Sequence, residues 1–167
     1  MPELRFMRIL GQSDIKLKIV QHNNQRGPMF SILKIHHVAI VVDDLDDALS
    51  FWRDALKLEL EHIEDLSAQA SLVAFLPVGG SEIELVKPTT SDSGVAKYLA
   101  KRGPGMHHIC MQVDDLDACL THLKKNDVRL INEEPITGAG GSRVAFVHPE
   151  AAHGVLVELV EVGLEED

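Results

Sequence analysis

Residues 35 to 50 read IHHVAIVVDDLDDALS, and residues 106 to 121 read MHHICMQVDDLDACLT, a gapless match with eight identities at an offset of 71. The echo continues: Val73-Ala74-Phe75 returns as Val144-Ala145-Phe146 at the same offset, and Glu84-Leu85-Val86 returns as Glu158-Leu159-Val160 at an offset of 74. A short insertion near Gly79-Gly80 accounts for the difference. A chain that repeats one unit this closely must fold that unit twice, and each copy must bury its apolar face with the help of the other. No other feature restricts the possible architectures as much.

Each copy begins with an apolar run of strand length, residues 35 to 42 and 106 to 113, that meets an Asp-Asp-Leu-Asp cluster. Acidic side chains there cap a following helix and face its positive end. Leu45, Ala48, Leu49, Trp52 and Leu56 recur at spacings of three and four, which predicts a helix over 45–58; Leu116, Cys119, Leu120 and Leu123 repeat the stripe over 116–125. Three strand-like runs follow each helix, at 58–62, 71–76 and 82–86 in the first copy and at 128–132, 142–147 and 155–160 in the second. The unit is βαβββ, and the chain is α+β. Its predicted division is an N-terminal extension over 1–30 and a single domain over 31–165. Within that domain lie repeat one at 34–88, a linker at 89–104 with a short helix near 95–101, and repeat two at 105–162. The extension holds one alternating segment, Ile15 to Val20, able to add a strand. A four-stranded antiparallel sheet with a helix on one face leaves its other face bare. The two sheets are therefore expected to close over that face together, equivalent strands facing, or around a ligand.

A formal net charge of −10 argues against a nucleic-acid or anionic membrane surface. No apolar run approaches the roughly 18 residues of a membrane span, and residues 1–30 lack the apolar core of a secretory signal. Cys110 and Cys119 are too few for a disulfide framework and read as buried small residues of a cytoplasmic protein.

The repeat places a histidine early on one strand and a glutamate on a late strand of each copy: His37 and Glu84, His108 and Glu158. Glu158 stands in a run that is apolar on both faces, and Glu84 is flanked by Ile83 and Leu85. A buried carboxylate is costly unless it is paired, hydrogen-bonded or bound to a metal. Taken singly, each histidine fits a hydrogen-bonded core position. Taken as a duplicated set of two imidazoles and two carboxylates, the four can converge on one cavity and bind a divalent cation. His36 and His107 are duplicated as well, but strand alternation sends them to the opposite face. The loop Gly138 to Gly141 lacks a GxxxxGK pattern and reads as a hairpin loop able to line a groove, while Lys97, Lys101, Arg102 and Arg143 are the basic residues near enough in sequence to meet an anion.

The segments KIHHVAIVVDDLDDAL, GSEIELVKP, GPGMHHICMQVDDLDACL and GGSRVAFVHPEAAHGVLVELVEV resemble the vicinal oxygen chelate (glyoxalase/bleomycin resistance) superfamily, and within it the methylmalonyl-CoA epimerases, over residues 34–162. The resemblance implies two βαβββ units curled into a cup-shaped sheet around a divalent metal, Co2+ first, then Zn2+, Mn2+ or Ni2+. It implies metal ligands at His37, Glu84, His108 and Glu158, with Glu158 and Glu84 as the acid/base pair. It further implies an acyl-CoA substrate epimerised at C2 through an enolate, a coenzyme A tail near Gly140 to Arg143, and a homodimer. One position departs from the pattern: some members carry a glutamate where this chain has Ser71, and a serine hydroxyl is a poor base. Glyoxalase I shares the ligand types, although the ending HPEAAHGVLVEL differs from its usual one. A ring-cleaving Fe(II) dioxygenase and a non-catalytic binder of the same fold also stay open at this level.

Overall fold

The structure, a computed structural model, describes residues 30–163. Eight strands form one continuous sheet in the order β2-β3-β4-β1-β5-β8-β7-β6. The first unit supplies β1 (Ile32–Val41), α1 (Leu45–Leu49), β2 (His62–Leu66), β3 (Ser71–Val78) and β4 (Ser81–Pro88). After α2 (Gly94–Arg102) the second unit supplies β5 (Gly105–Val113), α3 (Leu116–Lys125), β6 (Ile136–Thr137), β7 (Arg143–Val147) and β8 (Leu156–Glu161). Both units share one order, first strand, fourth, third, second, as duplication requires. The Ile15–Val20 segment lies outside the described residues.

Two expectations are corrected by this topology. Each half is mixed rather than antiparallel, because the helical crossover lets β4 run parallel to β1, and β8 parallel to β5. Nor do the equivalent strands face one another: β1 and β5 lie side by side as an antiparallel pair, so the halves join edge to edge. Joining removes two open sheet edges and, among the described residues, leaves the short β2 and β6 at the rims.

Strand alternation sorts the side chains between two faces. On the outer face Leu45 and Leu49 of α1 pack with Val42, Ala74, Leu76 and Leu85, and Leu116, Cys119 and Leu120 of α3 pack with Val113, Ala145, Val147 and Leu159. Asp44 and Asp115 cap these helices, their carboxylates accepting from the backbone N–H of Asp47 at 3.0 Å and of Ala118 at 2.8 Å. Beyond Leu49 the first helix widens into a π turn over Ser50–Ala55, where Leu56 N–H donates to the Phe51 carbonyl at 2.8 Å. The predicted helix thus ends three residues early. Lys57 then takes a left-handed φ of 65°. That exit displaces β2 to residues 62–66, four beyond the predicted run. In the second unit the segment near Val128 to Asn132 makes only an isolated bridge, Leu130 to Val147, and the edge strand forms at β6 instead. The three residues that offset the late glutamates sit in the turn between β7 and β8, which holds a 3-10 helix at Pro149–Ala152, whereas β3 and β4 are joined by Gly79-Gly80 alone.

Candidate metal centre

The inner face of the sheet is concave, and the buried polar side chains His37, Ser71, Glu84, His108 and Glu158 all line it. They surround a cavity of about 610 Å³, within the range that holds a small ligand. His37 on β1 and His108 on β5 meet across the seam of the two units, their Nε2 atoms 3.0 Å apart. Glu158 on β8 comes between them, Oε2 lying 2.7 Å from His108 Nε2 and 3.4 Å from His37 Nε2. Three ligands each about 2.0–2.1 Å from one tetrahedral cation would lie roughly 3.3 Å apart. The triangle His37–His108–Glu158 already has nearly those edges, so the donor set fits a divalent cation with small adjustments.

Glu84 stands on the other side of the His37 ring, Oε1 lying 3.1 Å from Nδ1. The two glutamates therefore approach opposite nitrogens of one imidazole. Their electrostatics differ accordingly. Burial pushes the Glu84 carboxyl up to about 7, the neighbouring His37 only partly offsetting it. Burial acts the same way on Glu158, but hydrogen bonds from His108 and His37 outweigh it and hold that carboxyl well below its ordinary range. Burial opposes protonation of His37, yet the surrounding carboxylates raise its pKa overall.

His36 and His107 do not behave as alternation predicts. In the β1–β5 ladder Ile35 pairs with Met111 and His37 with Cys110, which leaves His36 as an extra residue; Ala39 pairs with His108 and Ile40 with Met106, which leaves His107 as another. Each is a bulge, and a bulge re-aims the side chain it carries. The ring of His36 turns to within 3.0 Å of His37, Nδ1 to Nδ1, and that of His107 to within 2.9 Å of His108. Both line the cavity.

Of the other expected residues, the glycine loop and Ser71 line the cavity, whereas Lys97, Lys101, Arg102 and Arg143 do not. Ala139, Gly140, Gly141 and Ser142, in the turn between β6 and β7, line it as a loop of this kind should. Arg143 is already neutralised, its guanidinium donating to Asp117 at 2.8 Å and to Glu161 at 3.1 Å. Ser71 is buried, its hydroxyl donating to the Gln69 carbonyl at 3.2 Å. Sequence reasoning missed His62 and Glu64, which also line the cavity, His62 stacking on Phe75 with ring centroids 4.4 Å apart. The His62-Ile63-Glu64 alternation carries that signal, but a strand expected at 58–62 ends where β2 begins.

The chain matches the model of the glyoxalase/bleomycin resistance protein/dioxygenase superfamily over residues 36–146. It is 38% identical over 136 residues to the mitochondrial methylmalonyl-CoA epimerase of Mus musculus, covering 81% of this chain and 76% of that protein. It is 37% identical to the ethylmalonyl-CoA/methylmalonyl-CoA epimerase of Cereibacter sphaeroides, covering 77% and 98%. Among solved structures, a variant of the Streptomyces coelicolor methylmalonyl-CoA epimerase in complex with 2-nitronate-propionyl-CoA superposes with a TM-score of 0.77 at 38% identity, covering 82% of this chain and 99% of that one. With a duplicated cup-shaped sheet and this level of identity along its length, the chain belongs to the methylmalonyl-CoA epimerases of the vicinal oxygen chelate superfamily.

Proposed function

We propose that the chain interconverts the (R) and (S) forms of methylmalonyl-CoA by removing and replacing the proton at C2. The observation that carries this reading is the meeting of His37, His108 and Glu158 with Glu84 in one cavity. His37, His108 and Glu158 would hold a divalent cation, Co2+ by resemblance, which when bound would supply the positive charge that Lewis-acid catalysis of C2 proton removal calls for. Epimerisation needs a proton carrier on each side of a planar intermediate. Glu84 and Glu158 meet that need: both are buried, they stand on the equivalent strands β4 and β8, and their carboxylates reach opposite nitrogens of His37. Ser71 does not compete for the role, since its hydroxyl is spent on a backbone carbonyl. The Gly140-Gly141 backbone lining the cup gives the coenzyme A tail room to pass. A homodimer in the cytoplasm completes the reading; free buried Cys110 and Cys119 fit a reducing compartment.

Incubating the protein with (S)-methylmalonyl-CoA in deuterated water, alongside metal analysis, tests this directly. Deuterium should enter at C2 and stoichiometric divalent metal should be found. Turnover of the methylglyoxal–glutathione hemithioacetal without C2 exchange would instead assign the chain a lyase activity.

A further inference from the structure

The two ring nitrogens of His37 keep different company. Nε2 looks toward His108 and Glu158, while Nδ1 lies 3.0 Å from His36 Nδ1. Paired with His37 across the β1–β5 ladder is Cys110, fully buried against Val144 and Val160. Donor atoms of His36, His37 and Cys110 all lie within 4.8 Å of one another. The duplication supplies an internal control. His107 and His108 repeat the histidine pair, but the residue paired with His108 is Ala39, so the second unit brings only two donors together.

One sulfur and two imidazoles make a softer set than two imidazoles and a carboxylate, and thiolate ligands select Zn2+, Cd2+ and Cu+ over Mn2+. His36 is half-buried and, with His37, lines the main cavity, so an ion entering the cup meets both imidazoles of this set. We propose that His36, His37 and Cys110 form a second cation site for a thiophilic ion, mutually exclusive with the His37–His108–Glu158 site because a neutral His37 imidazole offers a lone pair on only one of its two ring nitrogens. On binding, the Cys110 Sγ–H bond is replaced by an Sγ–metal bond and the proton passes to water; no electrons change hands. A thiophilic ion held at His37 Nδ1 keeps the ring proton on Nε2, which then cannot ligate at the other site, so the site acts as a trap that empties the centre. The inference is independent of the substrate, and loss of the epimerase reading would leave it standing.

Cadmium is the probe, added to the metal-free full-length chain and followed by its thiolate charge-transfer absorption in the ultraviolet and by equilibrium dialysis. One cadmium per chain should bind with that absorption and should suppress Mn2+ binding. Cys110→Ser should abolish the absorption and weaken cadmium at least about tenfold while leaving manganese binding unchanged, and Cys119→Ser should alter nothing. His36→Asn, at a half-buried position where folding is not at stake, should weaken cadmium by about tenfold and retain the absorption at saturation. Absence of cadmium uptake, uptake without thiolate absorption, absorption that survives Cys110→Ser, or simultaneous binding of both ions would each overturn the proposal.

Discussion

At the level of single residues the centre depends on how few side chains carry it. Glu158 is the carboxylate that both imidazoles share, so Glu158→Ala should lower divalent-metal affinity by at least about 100-fold, beyond what loss of an outer contact costs, with the secondary structure intact by circular dichroism. Gly138 fixes the turn at the mouth of the cup through close approach. A Cβ there would stand 2.7 Å from Val144 Cγ1 and 2.8 Å from Ser142 Oγ. Gly138→Ala should therefore cost about 1–3 kcal/mol by chemical denaturation and raise KM, while metal content stays at wild-type level. That His37, Glu84, His108 and Glu158 are buried around one cavity was legible in the sequence, because duplication doubled each signal and buried carboxylates demand partners. What could not be read was the aim of His36 and His107, since a bulge is a pairing irregularity with no mark in the residues themselves.

The elements divide the work between two faces. The helices cover the outside, and their contribution is apolar packing: Leu120 is 2% exposed beneath α3, so Leu120→Ala should destabilise the fold by about 2–5 kcal/mol. Equilibrium unfolding should show that loss with metal stoichiometry unchanged, since α3 lies on the face opposite the donors. The helical stripes followed from spacing, the central strands from their apolar runs, and capping from the acidic clusters, within which the structure picks out Asp44 and Asp115. The edge strands did not. Among the described residues β2 pairs with one neighbour, and its position was set by the π turn and the left-handed Lys57 that precede it. β6 is two residues long, too short for any periodicity to declare it.

Taken whole, the molecule is two units zipped through β1 and β5 and tied a second time by the donors that cross the seam. A cation bound to the folded state alone adds about 2.7 kcal/mol when present at a hundred times its dissociation constant. Chelation should lower the melting temperature accordingly, and His37→Ala and His108→Ala, though in different units, should each abolish the metal-dependent part of that stability in thermal scans with and without metal. Relative orientation of the halves was not legible beforehand, because a repeated pattern says that two units associate but not whether they stack or adjoin. One consequence of the seam lies in its geometry at the far end of β5. There Ile32, opening β1, pairs with Val113, and Val160, one residue before the end of β8, pairs with Gln112. The first and last strands thus end on either flank of one strand, about two strand spacings or roughly 10 Å apart. A short bridge could join them, with new ends cut in the stretch between β4 and α2, and the sheet would be the same with its second half made first.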